Sequence, residues 1–212
     1  DLKVAVDSEH AIAVLADAAR QAGSTIGILI DQDIGMHRTG VGTTAEALSL
    51  AEKVEQASCL RLRGLFCYPG HIWAPAAKQP DLLREACRPL EETLDQWKGR
   101  GLSAEIVSGG STPTAFQADA AESWTEIRSG TYALNDLNTV RGGYATLEQC
   151  AARIVATVVS VAVADQVVID AGSKTLTSDL CVPMPDSGHG YILEYPEARI
   201  DKLSEEHGQV DI

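Results

Sequence analysis

Residues 108–112, Ser-Gly-Gly-Ser-Thr, carry the plainest chemistry in the chain. They follow an apolar pair, Ile106 and Val107, and run into Pro113. Gly109 and Gly110 leave backbone N–H groups uncovered, and the hydroxyls of Ser108, Ser111 and Thr112 stand beside them. A turn of that composition is suited to holding an anion. Three other stretches share its character: DQDIGMHRTGV (31–41) with Arg38, CYPGHIW (67–73) with Tyr68 and His71, and EIRSGTYALND (126–136) with Arg128, Gly130, Thr131 and Tyr132. Their glycines admit a ligand close to the backbone, and the two arginines supply the positive charge an anion needs. Each residue also has a plainer reading. Arg38 can pair with Asp31 or Asp33, Tyr68 and His71 can be packing residues, and Gly109-Gly110 can be a tight turn. Glu205-Glu206 beside His207 reads as half of a metal site or as a solvated strand end.

For these stretches to meet, they must leave one end of a common scaffold. Strand-like runs occur at Lys3–Val6, Ile26–Asp31, Leu62–Cys67, Ala104–Val107 and Glu126–Leu134. Helical patterns lie between them: EHAIAVLADAARQAG behind an N-cap at Ser8, AEALSLAEKVEQA behind Thr43 or Thr44, and DLLREACRPLEETLDQWKGRG ending at Gly101. Strands alternating with helices imply βαβ units and a parallel sheet, whose ligands meet the loops at the strands' carboxyl ends. All four chemical stretches follow such ends, in consecutive order. Beyond about residue 145 the pattern becomes β-branched and alternating (RIVATVVSVAVADQVVIDAGSKTLTSD), with further short strands expected in GYILEYP and ARIDKLSEEHG. The expected architecture is α/β: a partial TIM-type (β/α) barrel over residues 1–145, then an incomplete β-rich domain over 146–212. A closed eight-stranded barrel takes roughly 200–250 residues, so about three strands lie outside this count.

The formal charge of −13 argues against a nucleic-acid partner, which requires a basic footprint. No run of eighteen apolar residues is present, so no membrane span is expected. Five cysteines without a Cys-x-x-Cys pair point to a reducing, cytoplasmic setting and away from a zinc knuckle; Cys67, in an apolar run, reads as a core residue.

The four loops, together with VVIDAGSKTLTSD and LSEEHG, resemble in order the D-threonine aldolase and D-serine dehydratase family, which are pyridoxal-phosphate enzymes with an alanine racemase-type barrel. The resemblance implies a homodimeric lyase of amino-acid metabolism, acting on a D-3-hydroxyamino acid with a divalent metal (Zn, Mn or Mg). It implies that Ser108, Gly109, Gly110, Ser111, Thr112, Gly130 and Thr131 hold the cofactor phosphate. Arg128 would meet the pyridine nitrogen, with Tyr132 alongside. Arg38 would face the phenolic oxygen or the substrate carboxylate, with Tyr68 and His71 beside the ring as further catalytic residues.

The same resemblance marks what the chain lacks. The family's Schiff-base lysine lies on the first barrel strand, upstream of the residues here, and Lys174 falls in a β-domain motif instead. The family's metal ligands, in a His-x-Cys or His-x-Asp motif, follow SEEHG beyond Ile212. The chain is therefore expected to be the central part of a longer enzyme, without lyase turnover by itself. Aldolase, dehydratase and racemase chemistry all stay open. So do a cofactor-free phosphate-binding barrel of the sugar-phosphate isomerase kind and a non-catalytic binding module.

Overall fold

The computed structural model describes residues 2–181 and 184–212, which divide into two compact units, Asp1–Gly130 and Thr131–Ile212. In the first unit β1 (Lys3–Val6), β2 (Ile26–Asp31), β3 (Leu60–Phe66), β4 (Ile106–Gly109) and β5 (Glu126–Ile127) form one sheet in sequence order, with every pairing parallel. Parallel strands covered by helices read as continuous apolar runs. β2 shows this, with Gly27 to Asp31 all buried.

Three helices make the crossovers, and local sequence sets their ends. α1 (Glu9–Gln21) starts where the Ser8 side chain accepts from Ala11 N–H, and buries Ile12, Ala16 and Ala19 along one stripe. α2 (Thr44–Gln56) opens on a capping box between Thr43 and Glu46, and its Ala47, Leu50, Ala51 and Val54 repeat the stripe. α3 (Gln79–Gly99) contains Pro89, which cannot donate within the helix. The Pro89 carbonyl instead accepts from Thr93 Oγ1 at 3.0 Å and from Gln32 Nε2 at 3.3 Å, tying the helix to the residue just beyond β2. Ile28, Ile30, Leu62, Leu65, Leu90, Trp97 and Val107 form the heart of this unit's core.

One expectation is corrected here. The fifth strand stops at Ile127 and does not reach Leu134. Arg128 N–H still reaches Gly109 O, but β4 turns away at Gly110, leaving nothing further to pair with. The β4–β5 connection carries a 3-10 helix, Ala115–Ala120.

The second unit holds an antiparallel sheet in the order β6 (Val158–Ser160), β7 (Gln166–Ile169), β9 (Gly208–Asp211), β8 (Arg199–Leu203). Ile169, Ala171, Ile200 and Val210 are its core. Two short helices, α4 (Leu137–Arg141) and α5 (Ser173–Leu176), complete it. GYILEYP forms no strand, because its backbone is spent in local turns: Tyr195 N–H donates to Ile192 O and Ala198 N–H to Tyr195 O. Among the described residues no helix is long and apolar enough to cross a membrane.

Candidate anion site at the parallel strand ends

β2 leaves the sheet at Asp31 and enters the 32–41 loop, which closes on itself. Val41 N–H donates to Asp31 O, Asp33 N–H donates to Val41 O, and Gln32 and Val41 form a parallel bridge. Inside the loop the Asp33 carboxylate accepts from the N–H groups of Gly35 (2.9 Å) and His37 (3.0 Å), and contacts His37 Nδ1 at 2.6 Å. Burial acts to raise the Asp33 carboxyl, but these donors outweigh it and hold the group below its ordinary range. Asp31 responds in the opposite direction. Its residue is only 8 % exposed, and burial, with Asp7 adding repulsion, pushes its carboxyl up against the pull of a Thr39 hydrogen bond and of Arg128 and Arg38.

A shallow cleft opens over this loop, lined by Asp31, Gln32, Asp33, Met36, Arg38, Thr39 and Tyr68. Arg38 makes no ion pair with Asp31 or Asp33 among the described residues. Its guanidinium lies over the Tyr68 ring, Cζ 4.5 Å from the centroid. His71, from the same β3 loop, packs its ring against Gly35, and burial lowers its pKa.

On the other side of β3, Arg128 reaches back across the strand ends. Its Nε donates to Ser108 Oγ at 2.8 Å, Nη2 donates to the carbonyls of Cys67 and Ser108, and Cζ lies 3.7 Å from the Phe66 centroid. Asp31, Phe66 and Ser108 are successive register partners across β2, β3 and β4, so Arg128 spans a single rung of the sheet.

The Ser108–Thr112 turn is tighter than its composition suggests. Ser111 N–H donates to Thr114 Oγ1 (3.2 Å), and the two hydroxyls meet at 2.9 Å, all buried. Ser111 is therefore committed internally, and Ser129 Oγ donates to its carbonyl at 3.1 Å. The N–H groups of Gly110, Ser129 and Gly130 have no hydrogen-bond partner among the described residues. Both glycines of the turn are required by their surroundings. A Cβ on Gly109 would sit 2.3 Å from the Trp124 ring, and Gly110 combines φ +83° with Ile127 at 2.9 Å.

The structure thus brings Arg38, Tyr68, His71, Ser108 to Thr112, Arg128 and Gly130 into one unit at the carboxyl ends of consecutive strands. Thr131 and Tyr132 belong to the second unit, where they open a 3-10 turn. Sequence reasoning missed Thr39, Phe66, Thr114, Trp124 and Ser129, and it treated Asp31 only as an ion-pair partner. The one available signal was an acid closing the apolar run IGILI.

Comparison with known proteins places this geometry. Residues 1–136 match the alanine racemase N-terminal domain family. The chain belongs to that family. Residues 151–212 match a putative serine dehydratase domain, so the two-part organisation accompanies the alanine racemase-type fold. The chain is 27% identical to a D-threonine aldolase of Arthrobacter sp over its whole length, covering 55% of that protein. It is 31% identical to the D-threo-3-hydroxyaspartate dehydratase of Delftia sp. (strain HT23), over 98% of the chain and 58% of the relative. Two solved structures show the same fold over 99% of the chain. One is D-threonine aldolase from Filomicrobium marinum (TM-score 0.80, 28% identity, 56% of that chain). The other is the Delftia dehydratase (TM-score 0.86, 27% identity, 58% of that chain). The chain spans little more than half the length of these relatives. One is named as an aldolase and the other as a dehydratase.

Proposed function

We propose that this chain forms the cofactor-binding part of a pyridoxal-phosphate-dependent lyase acting on D-3-hydroxyamino acids, of the D-threonine aldolase or D-serine dehydratase type. One observation carries the reading: unpaired N–H groups of Gly110, Ser129 and Gly130 share the strand ends with the guanidinium groups of Arg128 and Arg38. Backbone donors of that kind suit a phosphate. The donor set fits the cofactor's anionic end.

Bound here, pyridoxal phosphate supplies an electron sink for breaking a bond at Cα or Cβ of an amino acid. Gly110, Ser129 and Gly130 bind the phosphate, and Ser111 and Thr114 brace the turn from inside. Arg128, fixed by Ser108, Cys67 and Phe66, is held rigidly enough to donate to one ring atom. Arg38 is stacked but otherwise uncommitted, which suits a receptor for a carboxylate or phenolate, and Tyr68 supports it. His71, held toward its neutral form by burial, can offer an unprotonated ring nitrogen as an acceptor.

A divalent metal does not fit the residues present. Among the described residues no group of three His, Cys, Asp or Glu side chains is set to hold one. Glu205 and Glu206 are instead paired with Lys174 at 3.0 and 2.8 Å. Nor does any lysine line the cleft among the described residues. We also propose a D-amino acid as the small-molecule partner, a homodimeric intact enzyme and a cytoplasmic setting, the last in keeping with five free thiols.

The test is to titrate the chain with pyridoxal phosphate, following tryptophan fluorescence, and then to assay glycine release from D-threonine. The expected result is saturable binding that dialysis reverses, without turnover. Failure to bind sinks the cofactor reading. Turnover would show that a lysine of this chain takes part.

A further inference from the structure

Asp31 is used by none of the roles above, yet it sits at the centre of the site. It ends β2, is 8 % exposed and lines the cleft together with Arg38, Thr39 and Tyr68. Phe66, its register partner on β3, is the residue that carries the Arg128 guanidinium. The charged groups facing it come from every neighbouring element: Asp7 beyond β1, Arg38 in its own loop and Arg128 beyond β5, with the Cys67 thiol beyond β3 also close enough to feel its charge. Thr39 lines the cleft with it and pulls its carboxyl toward the charged form, and Gly40 comes so near that a Cβ there would stand 3.1 Å from Asp31 Oδ1. The loop backbone is therefore wrapped around this carboxyl.

We propose that Asp31 is a proton-linked counter-charge for the anion site: as a carboxylate it offsets Arg38 and Arg128, and an anion docking at the strand ends drives a proton onto it. The physics is reciprocal. A carboxylate whose charge reaches two guanidinium groups weakens their hold on an incoming anion, and an anion arriving within reach of a carboxylate favours the carboxylic acid. Burial and the repulsion from Asp7 already tilt Asp31 toward the proton, and an added negative charge tilts it further the same way. In the loaded site Asp31 then stands as a neutral hydrogen-bonding acid, and the two arginines face the ligand undiminished. Asp31 acts through the arginines and is a positioning residue in this role. The inference rests on the reading of the strand ends as an anion site.

The experiment compares pyridoxal phosphate affinity in the wild-type chain and in D31N from about pH 7.5 down to about pH 4.5. The ligand's own protons are common to both proteins and cancel in the ratio of their dissociation constants. The expected ratio, wild type over D31N, is well above one at the alkaline end and converges on one as Asp31 takes its proton. T39V removes the hydrogen bond that favours the carboxylate. It should therefore bind more tightly than wild type only in a window between the two Asp31 titrations, with equal affinity on either side. That comparison stands even where D31N does not fold. A pH-independent ratio, a ratio at or below one throughout, or a D31N protein that folds but no longer binds would each overturn the proposal while leaving the cofactor reading intact. Loss of binding by every protein, wild type included, overturns both.

Discussion

Arg128 sits over Phe66, its Cζ 3.7 Å from the ring centroid, while its Nε donates to Ser108 Oγ at 2.8 Å. The ring backs the guanidinium from one side and the hydroxyl holds one of its N–H groups. Lysine can reproduce neither, because an ammonium is a point charge without a planar fork. R128K should therefore keep the fold but weaken pyridoxal phosphate binding by about tenfold, roughly 1.4 kcal/mol. Fluorescence titration checks this; unchanged affinity would remove Arg128 from the site.

The turn glycines should separate into two classes. G109A drives a methyl into Trp124, and G110A combines a left-handed backbone with the Ile127 contact. Each is expected to cost about 1–3 kcal/mol in urea unfolding. Gly130 has open space around its would-be Cβ, so G130A should unfold like the wild type. Equal effects at all three positions would contradict the packing described.

Thr114 is fully buried and satisfies both the N–H and the hydroxyl of Ser111. T114V preserves shape and strands those two groups without partners. A loss of about 1–3 kcal/mol is expected in thermal or urea unfolding. A neutral result would mean that the turn relaxes or takes in water.

Asp33 gives a pH signature. Its folded pKa lies below the reference value of 3.8, so the native state holds the carboxylate more strongly than the unfolded chain does. The stabilisation is fully present above that reference value. It disappears as pH falls through the lowered folded value. Unfolding wild type and D33N in urea across that range should show a gap that is constant at neutral pH and closes in acid. A gap that widens in acid would reverse the assignment.

Much of this was readable from residue types. Ser8, the Thr43-Thr44 pair and Gly101 announced helix ends through local chemistry, and IGILID announced a strand. The alternation of strands and helices then implied which loops must gather. What stayed hidden depended on residues distant in sequence. Nothing local says that Arg128 will reach the Cys67 carbonyl, that Ser111 will spend its N–H on Thr114, or that the fifth strand ends because β4 turns away first. GYILEYP misled for the opposite reason: its apolar residues suit a strand, but short-range turns satisfy its backbone before any partner strand does.

The 32–41 loop is sewn shut at its base, where Val41 bridges back to Gln32 and Asp31. Its tip, Met36 to Arg38, therefore hangs from a closed ring and not from the sheet directly. Such a tip is an exchangeable cassette. Substitutions there can reshape the cleft while the strand beneath keeps its register.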